Sequence, residues 1–402
     1  MAPEPAVGAQ CGRNGLYGVG AECRLPGCTV DLGRIYRNQN KEEKLAPAEF
    51  ARDCEPPAGR LCLRPGHVCW LCSSAFGCES LVSHLVVPAS VMIKDSRAGI
   101  EVGASVPFAC QQLSPEQREL VSRLAKRLGG IPGVKAVVLG GSYARGRAQS
   151  GSDIDLGVFY SEAGPFSIKN VRELATEVDD TADPVVAGFY EWGAWVNGGA
   201  WLTIKGQRVD FIYRSLEQLE RVITEAEAGR YQFDYAQQPP FGFQSGTYLG
   251  DIAVCLPLFD PEAVIAGLKQ RVANYPEALR RALVQDYLWA AEFGLTAFGP
   301  KHASRADVYG TAACLACAVN QLVIVLFALN RRYPVNDKTA LLELAEFERA
   351  PCEFVSRVQR TMARLGASPT ELLAAVESVA RLIRETVELS DGLYKPRYSL
   401  PK

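Results

Sequence analysis

The sequence predicts an α+β protein, in which a sheet flanked by helices is followed by an all-helical C-terminal domain. Between residue 108 and about residue 215, short apolar runs of strand-like composition alternate with segments of helical periodicity. After residue 215, apolar residues recur at helical spacing, and prolines lie between most of the periodic segments. A chain of 402 residues with 48% hydrophobic residues is large enough to bury the cores of about two such domains.

The regular part of the chain begins with a helix whose start is marked in the sequence. Ser114 is a typical N-cap, Pro115 suits the first helical position, and Gln117 completes a capping box. Glycines 129 and 130 end this helix. Strands are predicted at residues 134–139, 153–160, 185–190, 195–204 and 208–213, with an amphipathic helix at residues 167–179.

The remaining periodic segments predict a helical domain. They cover residues 215–228, 261–273, 276–297, 304–330, 338–347, 351–364 and 369–389. We therefore divide the chain into an extension at residues 1–105, an α/β domain at residues 106–228 and a helical domain at residues 229–402.

The first 105 residues are rich in Gly, Pro and Cys, and eight of the 13 cysteines lie before residue 80. Cys69 and Cys72 form a single C-x-x-C pair, whereas a strong zinc signal needs two such pairs. Other candidate ligands nearby are Cys62, His67 and Cys78. We expect a poorly ordered extension. A structural zinc site and a true start further along the chain, for example at Met92, are the alternatives.

Charge and hydropathy narrow the class of protein. The net charge is −2 and no long basic run occurs, so bulk attraction to nucleic acid is not indicated.

Residues 1–20 lack the apolar core of a signal peptide. Residues 312–329 are just long enough to span a bilayer, but Asn320 and Gln321 lie at their centre, which favours a buried helix. We expect a cytoplasmic protein.

The chemistry-bearing part of the sequence starts where the strand at residues 134–139 ends. Gly140 and Gly141 follow the strand, and a short helix begins at Ser142. Glycine lets the backbone approach a ligand closely, and a helix start presents free N–H groups to phosphate oxygens. This loop is therefore a candidate phosphate site.

Three aspartates follow at positions that suit a metal. Asp153 and Asp155 are two residues apart at a strand start, so their side chains point to the same face. Asp210 lies in an otherwise apolar strand, where a lone carboxylate is costly. Like charges gathered on one face need a cation between them, and oxygen ligands suit Mg²⁺ or Mn²⁺. Three carboxylates around two ions suit phosphoryl chemistry.

Together these residues resemble the nucleotidyltransferase superfamily typified by DNA polymerase beta and kanamycin nucleotidyltransferase, over about residues 130–215. The resemblance implies a mixed sheet flanked by helices, and transfer of a nucleoside monophosphate from an NTP, expected to be ATP, with release of pyrophosphate. It implies that Asp153, Asp155 and Asp210 are catalytic and bind two Mg²⁺ or Mn²⁺ ions. The implied nucleotide-binding residues are Gly140, Gly141, Ser142, Arg145 and Ser152.

A second, looser resemblance joins the segment from Arg305 to Lys338 to the C-terminal region of uncharacterised bacterial proteins with a nucleotidyltransferase domain. Lys338 is therefore added to the expected nucleotide-binding residues, and Arg305 is a further candidate, although both also suit a solvated surface. Glu292 lies on an apolar helix face beside Trp289 and Phe293. It is a candidate base for the acceptor, but an ordinary half-exposed glutamate is favoured.

The helical domain favours a small-molecule acceptor, because it follows the α/β domain in the same order as in antibiotic-modifying relatives. The leading hypothesis is an enzyme that moves AMP to a hydroxyl of a small molecule, such as an aminoglycoside-like compound. The first alternative is an antitoxin-type enzyme that modifies a partner protein, and the long helical tail argues against it. The second is a catalytically silent nucleotide-binding protein, and the three intact aspartates argue against it.

Overall fold

The computed structural model describes residues 112–181 and 183–401, which belong to one compact unit. The expected N-terminal extension, its candidate zinc ligands and the possible start at Met92 lie outside the described residues. The expected domain boundary at residue 228 marks the point where the sequence pattern becomes mainly helical. In the structure, a strand that follows residue 228 belongs to the main sheet.

Within the described residues, six strands form the main sheet in the order β3-β4-β5-β2-β1-β8. β2 and β5 run parallel, and the other neighbouring strands run antiparallel, so the sheet is mixed. The strands are β1 Val134–Leu139, β2 Ile154–Tyr160, β3 Val185–Val186, β4 Gly199–Ile204, β5 Gln207–Ser215 and β8 Leu256–Phe259. A separate hairpin pairs β6 Phe233–Asp234 with β7 Phe243–Gln244.

Helices cover both faces of the sheet and build the C-terminal region. They are α1 Pro115–Gly129, α2 Gly141–Ala144, α3 Ile168–Val178, α4 Leu216–Glu227, α5 Gly246–Val254, α6 Val264–Val272, α7 Glu277–Ala303, α8 Val308–Leu329, α9 Asp337–Glu343, α10 Phe354–Ala363 and α11 Pro369–Glu388. The predicted fold class is confirmed: a mixed sheet flanked by helices is followed by a helical C-terminal region.

The two faces of the sheet contribute to different cores because side chains alternate along each strand. Leu156 and Val158 of β2 point to the core shared with α1 and α3. Phe159 points to the opposite face, where α4 to α8 and α11 form the larger core. Asp155 precedes Phe159 by four residues, so its side chain is on the face that meets the helical region.

Several predicted elements have the expected bounds. In α1, the predicted start is correct because Ser114 and Gln117 form the hydrogen bonds of a capping box. The Ser114 hydroxyl accepts a hydrogen bond from the Gln117 N–H at 3.2 Å, and the Gln117 side chain accepts one from the Ser114 N–H at 2.9 Å. This reciprocal pair satisfies two N–H groups that a helix start leaves free. The predicted capping box is therefore present.

Other elements differ from the prediction. The strands predicted at 185–190 and 195–204 are shorter because residues 187–198 form a loop held by buried Asn197, whose amide donates to Gln218 at 2.7 Å. The helix predicted to end at residue 297 continues to Ala303 with Pro300 inside it. Pro300 has no N–H to donate to the Thr296 carbonyl oxygen, and the helix ends three residues later, at Ala303. α5 and β8 were not predicted.

Helix α8 is the segment that resembles a membrane span. Among the described residues, it alone is long and apolar enough to cross a bilayer, and 56% of its most apolar window is buried inside the protein. Its buried side packs in the core of the helical region, as expected for residues 312–329.

Glu292 has a structural role that neither sequence interpretation foresaw. Its side chain is fully buried in α7 and accepts hydrogen bonds from the Tyr394 hydroxyl, from the Arg397 N–H at 3.0 Å and from the Tyr398 N–H at 3.1 Å. The carboxylate thus fixes the C-terminal segment onto α7. Glu292 is neither half-exposed nor placed to act on an acceptor.

We predict that Glu292→Ala lowers the free energy of unfolding by about 2–4 kcal/mol, because it removes the acceptor of three hydrogen bonds, among them the one from the buried Tyr394 hydroxyl. Urea denaturation of the full-length protein measures this change. Glu388→Ala, at an exposed position near the end of α11, is the matched control and should stay within about 0.5 kcal/mol of the parent. Equal denaturation midpoints for the two variants would contradict the anchoring role.

Candidate active site

The centre of the candidate site is a pair of aspartates on neighbouring parallel strands. Asp155 of β2 and Asp210 of β5 are register partners, so their side chains lie side by side on one face of the sheet. Neither carboxylate makes a hydrogen bond with the described residues. The structure therefore brings two of the three predicted aspartates together without a neutralising partner.

The glycine loop closes over Asp155. The Gly140 N–H donates to the Asp155 carbonyl oxygen at 2.9 Å, which ties the loop to β2. Gly141 has φ of 59°, and a Cβ at this position would overlap the Oδ2 atom of Asp155. The half-buried Ser142 hydroxyl makes no hydrogen bond within the described residues and is free to bind a ligand. Only glycine at position 141 allows loop and carboxylate to be this close.

The environment of the two carboxylates opposes their ionisation. Burial, together with the charges of Asp210, Asp153 and Asp251, raises the pKa of Asp155 to about 7. Burial and the charge of Asp153 raise the pKa of Asp210 to about 6. The positive charge of Lys338 acts on both groups in the opposite direction, so a cation lowers the cost of ionising this site.

Asp153 is paired with an arginine. Its Oδ1 atom lies 2.6 Å from Nε of Arg208, yet this buried atom has no partner with hydrogen-bond geometry in the described part of the chain. Arg208 lies two residues before Asp210 on β5, and its positive charge also opposes the raised pKa of Asp210. Among residues 112–181 and 183–401, no three metal-ligand side chains are gathered into one group.

The donor set nevertheless fits a divalent cation. Asp155 and Asp210 are adjacent hard oxygen donors without hydrogen bonds, and Asp153 has a buried oxygen without one. The Arg208 side chain that contacts Asp153 is 64% exposed, so it can leave at little cost.

The other predicted nucleotide-binding residues have different surroundings. Lys338 is exposed in the first turn of α9, near enough for its charge to act on Asp155 and Asp210. Ser152 accepts a hydrogen bond from the Gln149 N–H at 2.8 Å and so stabilises the turn before β2. Arg305 is in the turn between α7 and α8, where its positive charge helps to lower the pKa of Asp307.

Arg145 connects the glycine loop to α9. Its guanidinium lies 2.6 Å from Glu343 and donates to Thr339 at 3.3 Å, and its side chain is only 8% exposed. The ion pair with Glu343 fixes Arg145 to the helical region, and its expected contact with the nucleotide stays a prediction.

Sequence reasoning missed an acidic residue of the site, Asp251. It belongs to α5 and pairs with Arg214 of β5 at 3.0 Å. Burial raises the pKa of Asp251, and Arg214 opposes this shift. Arg214 follows Asp210 by four residues on the same face, so strand alternation could have found it. Asp251 carried no comparable signal, because its helix was not predicted.

Comparison with known proteins agrees with this geometry. Residues 118–231 match the family model of the nucleotidyltransferase domain, and residues 256–338 match a domain of unknown function, DUF4037. The first segment is therefore a nucleotidyltransferase domain, which supports a transferase. No curated protein matches the chain.

A solved structure, a nucleotidyltransferase-like protein from Exiguobacterium sibiricum, is similar to this chain with 12% sequence identity and a TM-score of 0.36. The similarity covers 68% of this chain and 77% of the other.

We predict that Gly141→Ala lowers nucleotide turnover by roughly 100-fold or more, because the added methyl group displaces the Asp155 carboxylate. Gly146→Ala is the matched control: Gly146 has a similar φ of 66°, but a Cβ there meets no atom within 4 Å. Both variants carry the cost of a left-handed alanine, so only the contact with Asp155 distinguishes them. Equal turnover per folded molecule in the two variants would show that the loop does not position Asp155.

A second prediction concerns pH. Because the pKa of Asp155 is raised to about 7, the folded protein holds this proton where the unfolded chain, with an aspartate pKa near 4, has lost it. The contribution of Asp155 to the free energy of unfolding therefore decreases as the pH rises from about 4 to 7. Asp155→Asn should be more stable than the parent without divalent cations, and the gain should grow by roughly 2 kcal/mol between pH 5 and pH 8.

Thermal or urea unfolding in EDTA across this pH range measures the gain. Asp183→Asn, at an exposed position before β3, is the control and should show no such dependence. A gain for Asp155→Asn that stays constant with pH would refute the raised pKa.

Proposed function

We propose that this chain is a divalent-cation-dependent nucleotidyltransferase that moves a nucleoside monophosphate, expected to be AMP, from an NTP to a hydroxyl of a small molecule. The observation that carries the proposal is the in-register pair of Asp155 and Asp210 beside the Gly140–Ser142 loop. The match to the nucleotidyltransferase domain supports it.

Asp153, Asp155 and Asp210 are the residues that would hold the metal, expected to be two Mg²⁺ or Mn²⁺ ions. When bound, these ions neutralise charge on the phosphates and lower the pKa of the attacking hydroxyl. The high cost of ionising Asp155 and Asp210 without a counter-charge supports this assignment.

The other residues around the carboxylates support binding of the triphosphate. The Ser142 hydroxyl is free, and Gly140 and Gly141 add no side chain that would block a phosphate. Lys338 supplies a flexible positive charge on the same side. We propose that these four residues orient the triphosphate so that its α-phosphorus faces Asp210.

In the proposed reaction, the acceptor oxygen forms a bond to the α-phosphorus, and the bond from that phosphorus to the bridging oxygen breaks. Pyrophosphate leaves with the electron pair of the broken bond. Asp210 takes the hydroxyl proton, whose pKa the bound ions would lower.

The acceptor is proposed to be a small molecule, with an aminoglycoside-like compound as the first candidate. The net charge of −2 disfavours a polynucleotide. Modification of a partner protein is the alternative, and mass spectrometry of the product would identify it.

We predict that Asp210→Asn lowers kcat by at least about 100-fold and leaves the KM for the NTP nearly unchanged, because the lost contact is made mainly in the transition state. The measurement uses the full-length protein, Mg²⁺, labelled NTPs and a panel of hydroxyl acceptors. Asp183→Asn is the control and should behave as the parent. A less stable Asp210→Asn variant with a normal rate per folded molecule would remove Asp210 from the reaction.

A further inference from the structure

A large exposed aromatic side chain lies next to the carboxylates on the sheet. Trp201 of β4 is the register partner of Asp210, and directly opposite residues of antiparallel strands point to the same face. The Trp201 side chain is 53% exposed. An indole beside two half-buried carboxylates has no role in the core, because it packs against none of the core clusters.

Two further apolar side chains extend this surface. The ring of Trp192 stacks on Trp201, with 4.6 Å between the ring centroids and 22° between the planes. β4 lies between β5 and β3. On β3, Val185 is the register partner of Trp201 and is 51% exposed. We call the surface formed by Trp192, Trp201 and Val185 the indole platform.

The fold holds the platform in place. Gly199, two residues before Trp201, leaves room for Trp192, since a Cβ there would lie 3.0 Å from the Trp192 ring. The Gln237 side chain donates to the Trp192 carbonyl oxygen at 3.3 Å and accepts from the Trp195 N–H at 3.1 Å. The loop that carries Trp192 is thus fixed both to the sheet and to the segment between β6 and β7.

The order of strands places the platform on the acceptor side. Across the sheet, the glycine loop follows β1, Asp155 is on β2, Asp210 is on β5 and Trp201 is on β4. Neighbouring strands are about 4.8 Å apart. The candidate phosphate loop and the platform therefore lie on opposite sides of the aspartate pair, and an acceptor that attacks the α-phosphorus in line has to approach from the platform.

We propose that the indole platform binds the acceptor, and that the acceptor carries its hydroxyl on a sugar ring. This inference rests on the proposed function. The apolar C–H face of the ring packs on the Trp201 indole, and the hydroxyls lie at the edge of the ring. A hydroxyl on its edge then reaches Asp210, which takes its proton as the oxygen bonds to the α-phosphorus and pyrophosphate leaves. Trp201 is a specificity-determining residue in this arrangement.

The test compares Trp201→Ala with Trp201→Phe and with Trp289→Ala in the full-length protein. Trp289 is a matched control because it is also exposed, at 38%, and stacks on another aromatic ring, Phe293, but lies on α7. The sugar-ring probes are kanamycin and methyl glucoside, the aromatic probe is p-nitrophenol, and the open-chain probes are glycerol and sorbitol. Transfer from labelled ATP with Mg²⁺ gives KM values, and saturation-transfer NMR measures ring binding without turnover.

We expect Trp201→Ala to raise the KM of the accepted ring probe by roughly 10- to 100-fold, the usual loss for one stacked ring. The KM for ATP should not change, Trp201→Phe should recover most of the loss, and Trp289→Ala should behave as the parent. Transfer to kanamycin and methyl glucoside ahead of p-nitrophenol and the open-chain probes identifies the sugar ring.

Three results would overturn the proposal. They are unchanged ring binding in Trp201→Ala, preferred use of the aromatic or open-chain probes, and a loss confined to the KM and base preference for the NTP, which would make the platform a nucleobase site. If the parent transfers no nucleotide, even to water, but binds rings through Trp201, the proposed function fails and the ring site stands.

Discussion

The repulsion between Asp155 and Asp210 is the constraint on which the site depends. The parallel pairing of β2 and β5 places these residues directly side by side, so neither carboxylate can move away without loss of sheet pairing. Burial makes the repulsion stronger than it would be in water. Nearby cations reduce this repulsion. The charge of Lys338 lowers the pKa of both carboxylates, and Arg208 and Arg214 form ion pairs with Asp153 and Asp251.

The helical region takes part in the site through buried ion pairs. Arg145 of the glycine loop binds Glu343 of α9, and Arg214 of β5 binds Asp251 of α5. α5 in turn packs so closely on the segment before α9 that a Cβ on Gly250 would overlap the Pro334 carbonyl oxygen. Because each pair joins the sheet to a C-terminal helix, the position of Lys338 is coupled to the geometry of the carboxylates.

The sequence was sufficient for the features that are local along the chain. Asp153 and Asp155 share a strand, and the glycine loop adjoins it, so alternation and turn chemistry were enough to group them. The ion pair of Arg145 with Glu343 could not be predicted from the sequence, because the two residues are 198 positions apart. β8 escaped prediction because it has four residues and contains Pro257, which an edge strand tolerates. The pairing of Trp201 with Asp210 depends on strand register, which two separate apolar runs do not specify.

The late position of β8 in the sequence affects how the sheet assembles during synthesis. β1 carries the glycine loop at its end, and its outer edge is completed only by Leu256–Phe259, beyond the residues that match the nucleotidyltransferase domain. During synthesis, the sheet therefore stays open on that side until residue 259 has left the ribosome. An open strand edge readily pairs with other chains. The strand that completes this edge of the sheet thus comes from the chain after residue 228, so residues 118–231 alone would leave β1 without its outer partner.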